Sequence, residues 1–196
     1  MAQFSSTKSA LKVPTALSLI FLASACSSVP MQAPSTVMAP KAVFSQDKLA
    51  DAVKVPAGNK VKSEMVGSGL ITYECRAKAA AAGQFEWVFV GPDAKLTDRD
   101  GKLVGKYFGP PATWEASDGS KVTGTQLAVS PAPAGNIPFQ LLKANPAGIG
   151  SMQGISFIQR VATQGGVAPA AACDAGSVGQ KSLVKFQADY IFWMPS

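Results

Sequence analysis

A strict two-residue alternation near the C-terminus constrains this chain more than any other feature. Val184, Phe186, Ala188, Tyr190 and Phe192 alternate with Leu183, Lys185, Gln187, Asp189 and Ile191. Successive side chains of an extended strand point to opposite faces, so the pattern predicts a strand over 183 to 193 with five side chains in a core. The same period recurs where Ile71, Tyr73, Cys75 and Ala77 alternate with Thr72, Glu74, Arg76 and Lys78, which turns Cys75 inward. Phe85, Trp87 and Phe89 share one face of a further segment and Glu86, Val88 and Val90 the other, with both faces expected to be largely covered. Further strands are expected within 137 to 144 and 155 to 163.

Turn residues separate these runs. Asp98-Arg99-Asp100-Gly101 and Ser117-Asp118-Gly119-Ser120 each sit between short apolar runs, and Asp-Gly supplies the positive φ that tight hairpins need. Pro131 to Gly135, Asn145 to Gly148 and Gly165-Gly166 punctuate the second half. Eight to ten short strands without a long helical pattern predict an all-β fold, a single antiparallel β-sandwich or barrel-like domain spanning 47 to 196. A chain of 196 residues accommodates one such core.

The first 46 residues read differently. Lys8 and Lys12 precede an uncharged run from Val13 to Pro40 whose apolar centre is Ala16 to Ala23, and the first acidic residue is Asp47. That order is the basic and apolar sequence of a secretory signal, and an apolar stretch of about ten residues falls short of the roughly 20 that span a bilayer. Ala23-Ser24-Ala25 is an A-x-A cleavage site, while Leu22 to Cys26 resembles a bacterial lipobox with Ala23 at the position that usually holds Leu. Both cut before Cys26, so 1 to 25 is expected as signal peptide. Residues 26 to 46, with Pro30, Pro34 and Pro40, are expected as a lipid-attachment cysteine and flexible linker. In a Gram-negative cell, Ser27 after the cysteine favours sorting to the outer membrane. The expected location is therefore an outer-membrane lipoprotein facing the periplasm or cell surface, with a soluble periplasmic or secreted product as the alternative.

Cysteine parity bears on that choice. Three cysteines in an oxidising compartment leave one unpaired; acylation of Cys26 leaves Cys75 and Cys173 as a candidate disulfide, the alternative being two buried thiols. Cleavage leaves 16 basic and 12 acidic side chains, a mild net +4, and the early lysines lack the aromatic interleaving of a nucleic-acid surface. Nucleic acid is not an expected partner. A membrane reached through lipid on Cys26 and an unidentified envelope ligand or protein are.

The chain contains no histidine, which removes Ser-His-Asp and Cys-His nucleophiles, His-bound zinc and the usual neutral-pH general base. Gly67-Ser68-Gly69 and Gly148-Ile149-Gly150 lack the rest of a dinucleotide fingerprint, so neither nucleotide nor cofactor is expected. Asp98 to Gly101 begins like a calcium loop but lacks its later ligands, and no metal site is assigned. No catalytic residue is assigned either. Carboxylate-dependent hydrolysis of an envelope polysaccharide, through Glu115 with Asp118 or Glu86, is the alternative to a non-catalytic binding or structural module. For such a module Tyr107, Trp114, Glu115 and Arg160 are the candidate ligand contacts. Arg160 is expected to point outward; turned inward it would need an acid such as Glu115 or Asp189.

An ordered series of blocks goes beyond any one motif: ITYECRA (71 to 77), FEWVFVGPDAKLTDRDGKLVGKYFGPPATWEASDGSKVTG (85 to 124), IPFQLL (137 to 142), FIQRVATQGGVAP (157 to 169), AACD (171 to 174) and ADYIFW (188 to 193). In these blocks the chain resembles the exported bacterial and fungal proteins grouped as domain-of-unknown-function family 3455, over roughly 53 to 193. The resemblance implies an exported single domain and supports pairing of Cys75 with Cys173. It implies no established activity. Lys106 stands where relatives often carry a histidine.

Overall fold

The predicted alternation becomes eight strands in a computed structural model that describes residues 44 to 145 and 148 to 196. The signal peptide, Cys26 and the linker up to residue 43 lie outside the described residues. All described residues belong to one unit, Lys41–Ser196. The strands are β1 (Asn59–Ala77), β2 (Phe85–Thr97), β3 (Leu103–Phe108), β4 (Thr113–Ala116), β5 (Lys121–Ser130), β6 (Phe139–Ala144), β7 (Phe157–Gly165) and β8 (Lys181–Pro195).

Each strand pairs antiparallel with its sequence neighbours, and β8 returns to β1, so the sheet closes into an eight-stranded barrel. Of the two architectures the alternation allows, the chain adopts the barrel. β1 makes closure possible: it pairs with β8 from Asn59↔Pro195 to Glu74↔Lys181 and with β2 from Val66↔Thr97 to Ala77↔Phe85. This strand begins twelve residues before Ile71, where the sequence pattern first becomes visible. Inward positions Gly67 and Gly69 have no side chain to mark the period. A Cβ on Gly69 would meet the Asp93 carbonyl oxygen at 2.1 Å, and one on Gly67 the Tyr190 ring at 2.5 Å.

Both hairpin turns form as expected. Asp98 accepts from the Asp100 and Lys102 amides, and Gly101 and Gly119 adopt φ of 82° and 81°. The expectation of two covered faces over Phe85 to Val90 does not hold, because Glu86 is exposed and Phe89 is 51% exposed. A bulge displaces this segment: Tyr73 pairs with Phe89 and Thr72 with Gly91, leaving Val90 without an opposite residue.

Two apolar clusters hold the fold. The inner one fills the barrel with Tyr107, Trp114, Ile158, Phe186, Tyr190 and Phe192 among others, as expected where eight strands leave an interior just wide enough for side chains. The outer one lies on β6, β7 and β8, where Leu141, Val161, Ile191 and Trp193 are covered by Val53 and Val55. Residues 44 to 58 thus form a strap over the barrel wall, with a 3-10 turn at Asp51–Val53. The strap begins inside the stretch expected as linker: the Phe44 amide donates to Glu64, and Gln46 exchanges two hydrogen bonds with the Val55 backbone. It also buries Ile191 completely, although that residue alternates away from the barrel interior.

Candidate functional site

The two ends of the barrel differ. At one, residues 148 to 156 fold inward, with Met152 and Ile155 buried. Asp118 anchors this plug: its carboxylate accepts from the Ser120 amide and hydroxyl and from the Ser151 amide, and the Ser120 hydroxyl in turn accepts from the Met152 amide. These donors hold the Asp118 carboxyl far below the usual range, first through the Ser120 hydroxyl and then through the Ser151 and Ser120 amides. The other end is formed by the C-terminal half of β1, the start of β2, the end of β5, the start of β6, the end of β7 and the start of β8. The connection from β7 to β8 is tied down there by the Cys75–Cys173 disulfide, with Cα atoms 5.5 Å apart, and by the Trp87 indole donating to the Ala171 carbonyl at 2.8 Å.

Tyr107 and Trp114 do not reach solvent. They are opposite each other on β3 and β4, stack with ring centroids 4.7 Å apart, and are 6% and 1% exposed. Tyr190 lies 5.0 Å from Tyr107 and 5.4 Å from Trp114, so the three rings form one buried aromatic group. The small inward residues Gly67, Ala94, Gly105 and Ala116 stand in the neighbouring registers and leave room for it.

Arg160 departs from the expectation of an outward side chain. In β7, Ile158 belongs to the inner cluster and Gln159 to the strap side, so Arg160 turns inward again, directly opposite Tyr190 on β8 and Gln140 on β6. Neither expected acid serves it. Asp189 pairs with Arg99 at 2.6 Å, and Glu115 with lysines on the outer wall. The half-buried guanidinium instead donates from Nε and Nη2 to the Pro138 carbonyl at 3.1 and 2.9 Å. Among the described residues of the ladders from Met65 onward it is the one charged side chain on the inner face; Glu74, Asp93, Lys95, Lys106, Lys143 and Lys185 alternate outward. Burial pushes the phenols of Tyr73, Tyr107 and Tyr190 upward, and the Arg160 charge pulls each back in part. The Tyr73 hydroxyl donates to the Gly166 carbonyl at 2.7 Å.

Glu115 is therefore separated from the other three candidate contacts. It faces outward between Lys106 at 3.4 Å and Lys121 at 3.2 Å; desolvation raises its carboxyl, but the two lysines outweigh that and leave it below its usual range. The register carries the Glu115 row through Lys106 to Lys95 on β2, nine residues along that strand from Glu86. At about 3.3 Å per residue this is on the order of 25 to 30 Å. With Asp118 committed to the plug, no two of Glu86, Glu115 and Asp118 converge as a hydrolytic pair requires. Among the described residues no three His, Cys, Asp or Glu side chains cluster to hold a metal.

Sequence reasoning missed Tyr190 and Tyr73 as neighbours of Arg160. Their inward direction is readable from the alternation, but the pairing of β7 with β8 that places Arg160 against Tyr190 is not. No helix of the described residues is long and apolar enough to cross a membrane. The barrel itself carries charges outward and aromatic rings inward, the reverse of a lipid-embedded barrel. No curated protein and no solved structure matches the chain. The family model described as Protein of unknown function (DUF3455) matches residues 56–194, which takes in every strand of the barrel, and the chain belongs to that family.

Proposed function

We propose that this protein is an exported, non-catalytic binding module of the cell envelope, tethered by lipid on Cys26, that takes a ligand at the Arg160 end of its barrel. The observation that carries the reading is Arg160 itself, among the described residues the one charged side chain on the inner face of the ladders from Met65 onward, held by a backbone carbonyl and by no described carboxylate. A half-buried guanidinium without an acid costs stability that an apolar residue would not. The neighbouring inward position, Ile158, shows that the strand accommodates an apolar side chain there. Retaining an arginine fits a group that awaits a partner from outside. Export draws support from the order of basic and apolar residues before Cys26, and from a disulfide, which persists in oxidising compartments.

A thermal-shift screen of the purified protein against envelope glycans, small acids and lipids tests the binding half, because a ligand of the native state raises its stability. At least one compound should raise the melting temperature of the wild type and leave Arg160→Gln unmoved; equal shifts in both would remove Arg160 from the site. Labelling cells with a fatty-acid analogue tests the tether. Wild type should be marked and Cys26→Ser unmarked, whereas an unmarked wild type would leave a cleaved, unlipidated product.

A further inference from the structure

The polar atoms left over inside the barrel have a common chemistry. Trp114 Nε1 and Tyr190 Oη are both buried, and neither meets hydrogen-bond geometry with a partner among the described residues, although the Tyr107 hydroxyl lies near enough to that of Tyr190 to interact with it. The Arg160 guanidinium places Nε and Nη2 on the Pro138 carbonyl and shows no acceptor for Nη1 among the described residues. An indole and a guanidinium donate only, and a protonated phenol can donate its one hydrogen to an incoming acceptor. Burial keeps the phenol of Tyr190 protonated, with a further contribution from the neighbouring Tyr107. Thr163 Oγ1, the remaining buried side-chain atom without a partner, is a hydroxyl and fits either role. The inner face thus presents unpaired donors, a positive charge and no unpaired carboxylate.

We propose that the Arg160 end of the barrel recognises a carboxylate group, whose oxygens accept from the free guanidinium edge of Arg160 and from the hydroxyl of Tyr190. This rests on the binding reading above and specifies its ligand class. A carboxylate is the acceptor-only group that matches a planar guanidinium fork, and charge-assisted bonds of this kind are about twice as strong as neutral ones. A neutral sugar brings a donor with every hydroxyl and is read best by exposed aromatic faces, while Tyr107 and Trp114 cover each other here. A cation would meet the Arg160 charge with nothing to offset it.

Isotope-edited NMR of the purified protein tests the assignment, following the Nε–H signals of Arg160 and Trp114 during titration with benzoate, benzamide and phenyl phosphate. Benzoate should give saturable shifts of the Arg160 signal with a dissociation constant at least tenfold below that of benzamide. Arg160→Gln should lose the benzoate response at Trp114, and Arg160→Lys, which keeps the charge but not the fork, should retain a weakened one. Benzamide binding as tightly as benzoate, in a manner lost in Arg160→Gln, would overturn the carboxylate class and leave the site standing. Preference for phenyl phosphate by tenfold or more would overturn it in favour of a phosphate. Silence of both reporters toward all three compounds would overturn the class and the site together. Titration with benzoylated glycine and with a peptide ending in phenylalanine then separates a free small acid from the C-terminal carboxylate of a chain.

Discussion

The indole nitrogen of Trp193 donates to the side-chain carbonyl of Gln159 at 2.8 Å, and that bond joins two residues of the barrel wall while leaving the Gln159 amide nitrogen to hold the strap. Gln159 is wholly buried; its amide nitrogen donates to the Val53 carbonyl at 2.6 Å and to Gln46 at 3.1 Å. One side chain therefore satisfies groups on β8 and at two points of the strap. Replacing it with leucine of similar bulk would strand the Trp193 indole and the Val53 carbonyl away from water. Each stranded group costs about 1 to 3 kcal/mol, so Gln159→Leu should lower unfolding free energy by roughly 2 to 6 kcal/mol. Urea denaturation followed by tryptophan fluorescence measures it, and a change within error would mean that the strap contributes little.

The Cys75–Cys173 bridge joins residues 98 apart in sequence. Constraining so long a loop in the unfolded chain is worth about 4 to 5 kcal/mol in the entropic account, and native disulfides removed from small exported domains typically cost about 2 to 5. The paired change Cys75→Ser with Cys173→Ser should therefore destabilise by about 2 to 5 kcal/mol. It should also raise hydrogen exchange in the stretch 171 to 178, since the disulfide to β1 would be gone and the Trp87 bond from β2 to Ala171 would remain. Exchange unchanged in that stretch would show that the bridge is not what holds it.

Asp118 gives a pH dependence with a definite sign. Its carboxyl is depressed in the folded state by the Ser120 hydroxyl and the Ser151 and Ser120 amides. A group shifted down contributes fully above its unfolded value, ordinarily about 4 for aspartate, and loses that contribution as pH falls through the folded one. Wild type should exceed Asp118→Asn in urea midpoint by a constant margin from pH 7 to about pH 5. Below about pH 4 the margin should shrink steadily. A margin still constant at pH 2 would show that the carboxylate is not held in this way.

Much of the barrel is legible in the sequence because its inward residues are large. Val184, Phe186, Ala188, Tyr190 and Phe192 announce β8, and both Asp-Gly turns sit where the hairpins form. The first half of β1 is silent because Gly67 and Gly69 occupy its inward positions, where close approach of Tyr190 and of the Asp93 and Ala94 backbone excludes a side chain. Ile191 misleads for the opposite reason: it alternates outward, but a strap from more than 130 residues earlier covers it. The site was only half readable. Tyr107 and Trp114 were singled out as aromatic residues in strands, yet whether an aromatic residue packs or binds depends on the strand opposite. Arg160 shares the strand register of Ile158, but a charged side chain with no assured acid partner reads as a surface residue, and nothing in the sequence shows that β7 sets it against Tyr190.

Closure of β1 on β8 covers the edges of the sheet's first and last strands from Asn59↔Pro195 to Glu74↔Lys181, while stretches such as β2 before Asp93 and β5 after Thr123 pair on one side alone. An open sheet exposes unpaired amides and carbonyls on its outermost strands and can recruit another copy of itself. A protein gathered at high density on a membrane surface would face that hazard constantly. Here the first and last strands close on each other, so another copy cannot add strand by strand at their shared seam, and backbone paired on one side alone is confined to short stretches such as Phe85 to Pro92 and Gly124 to Ser130.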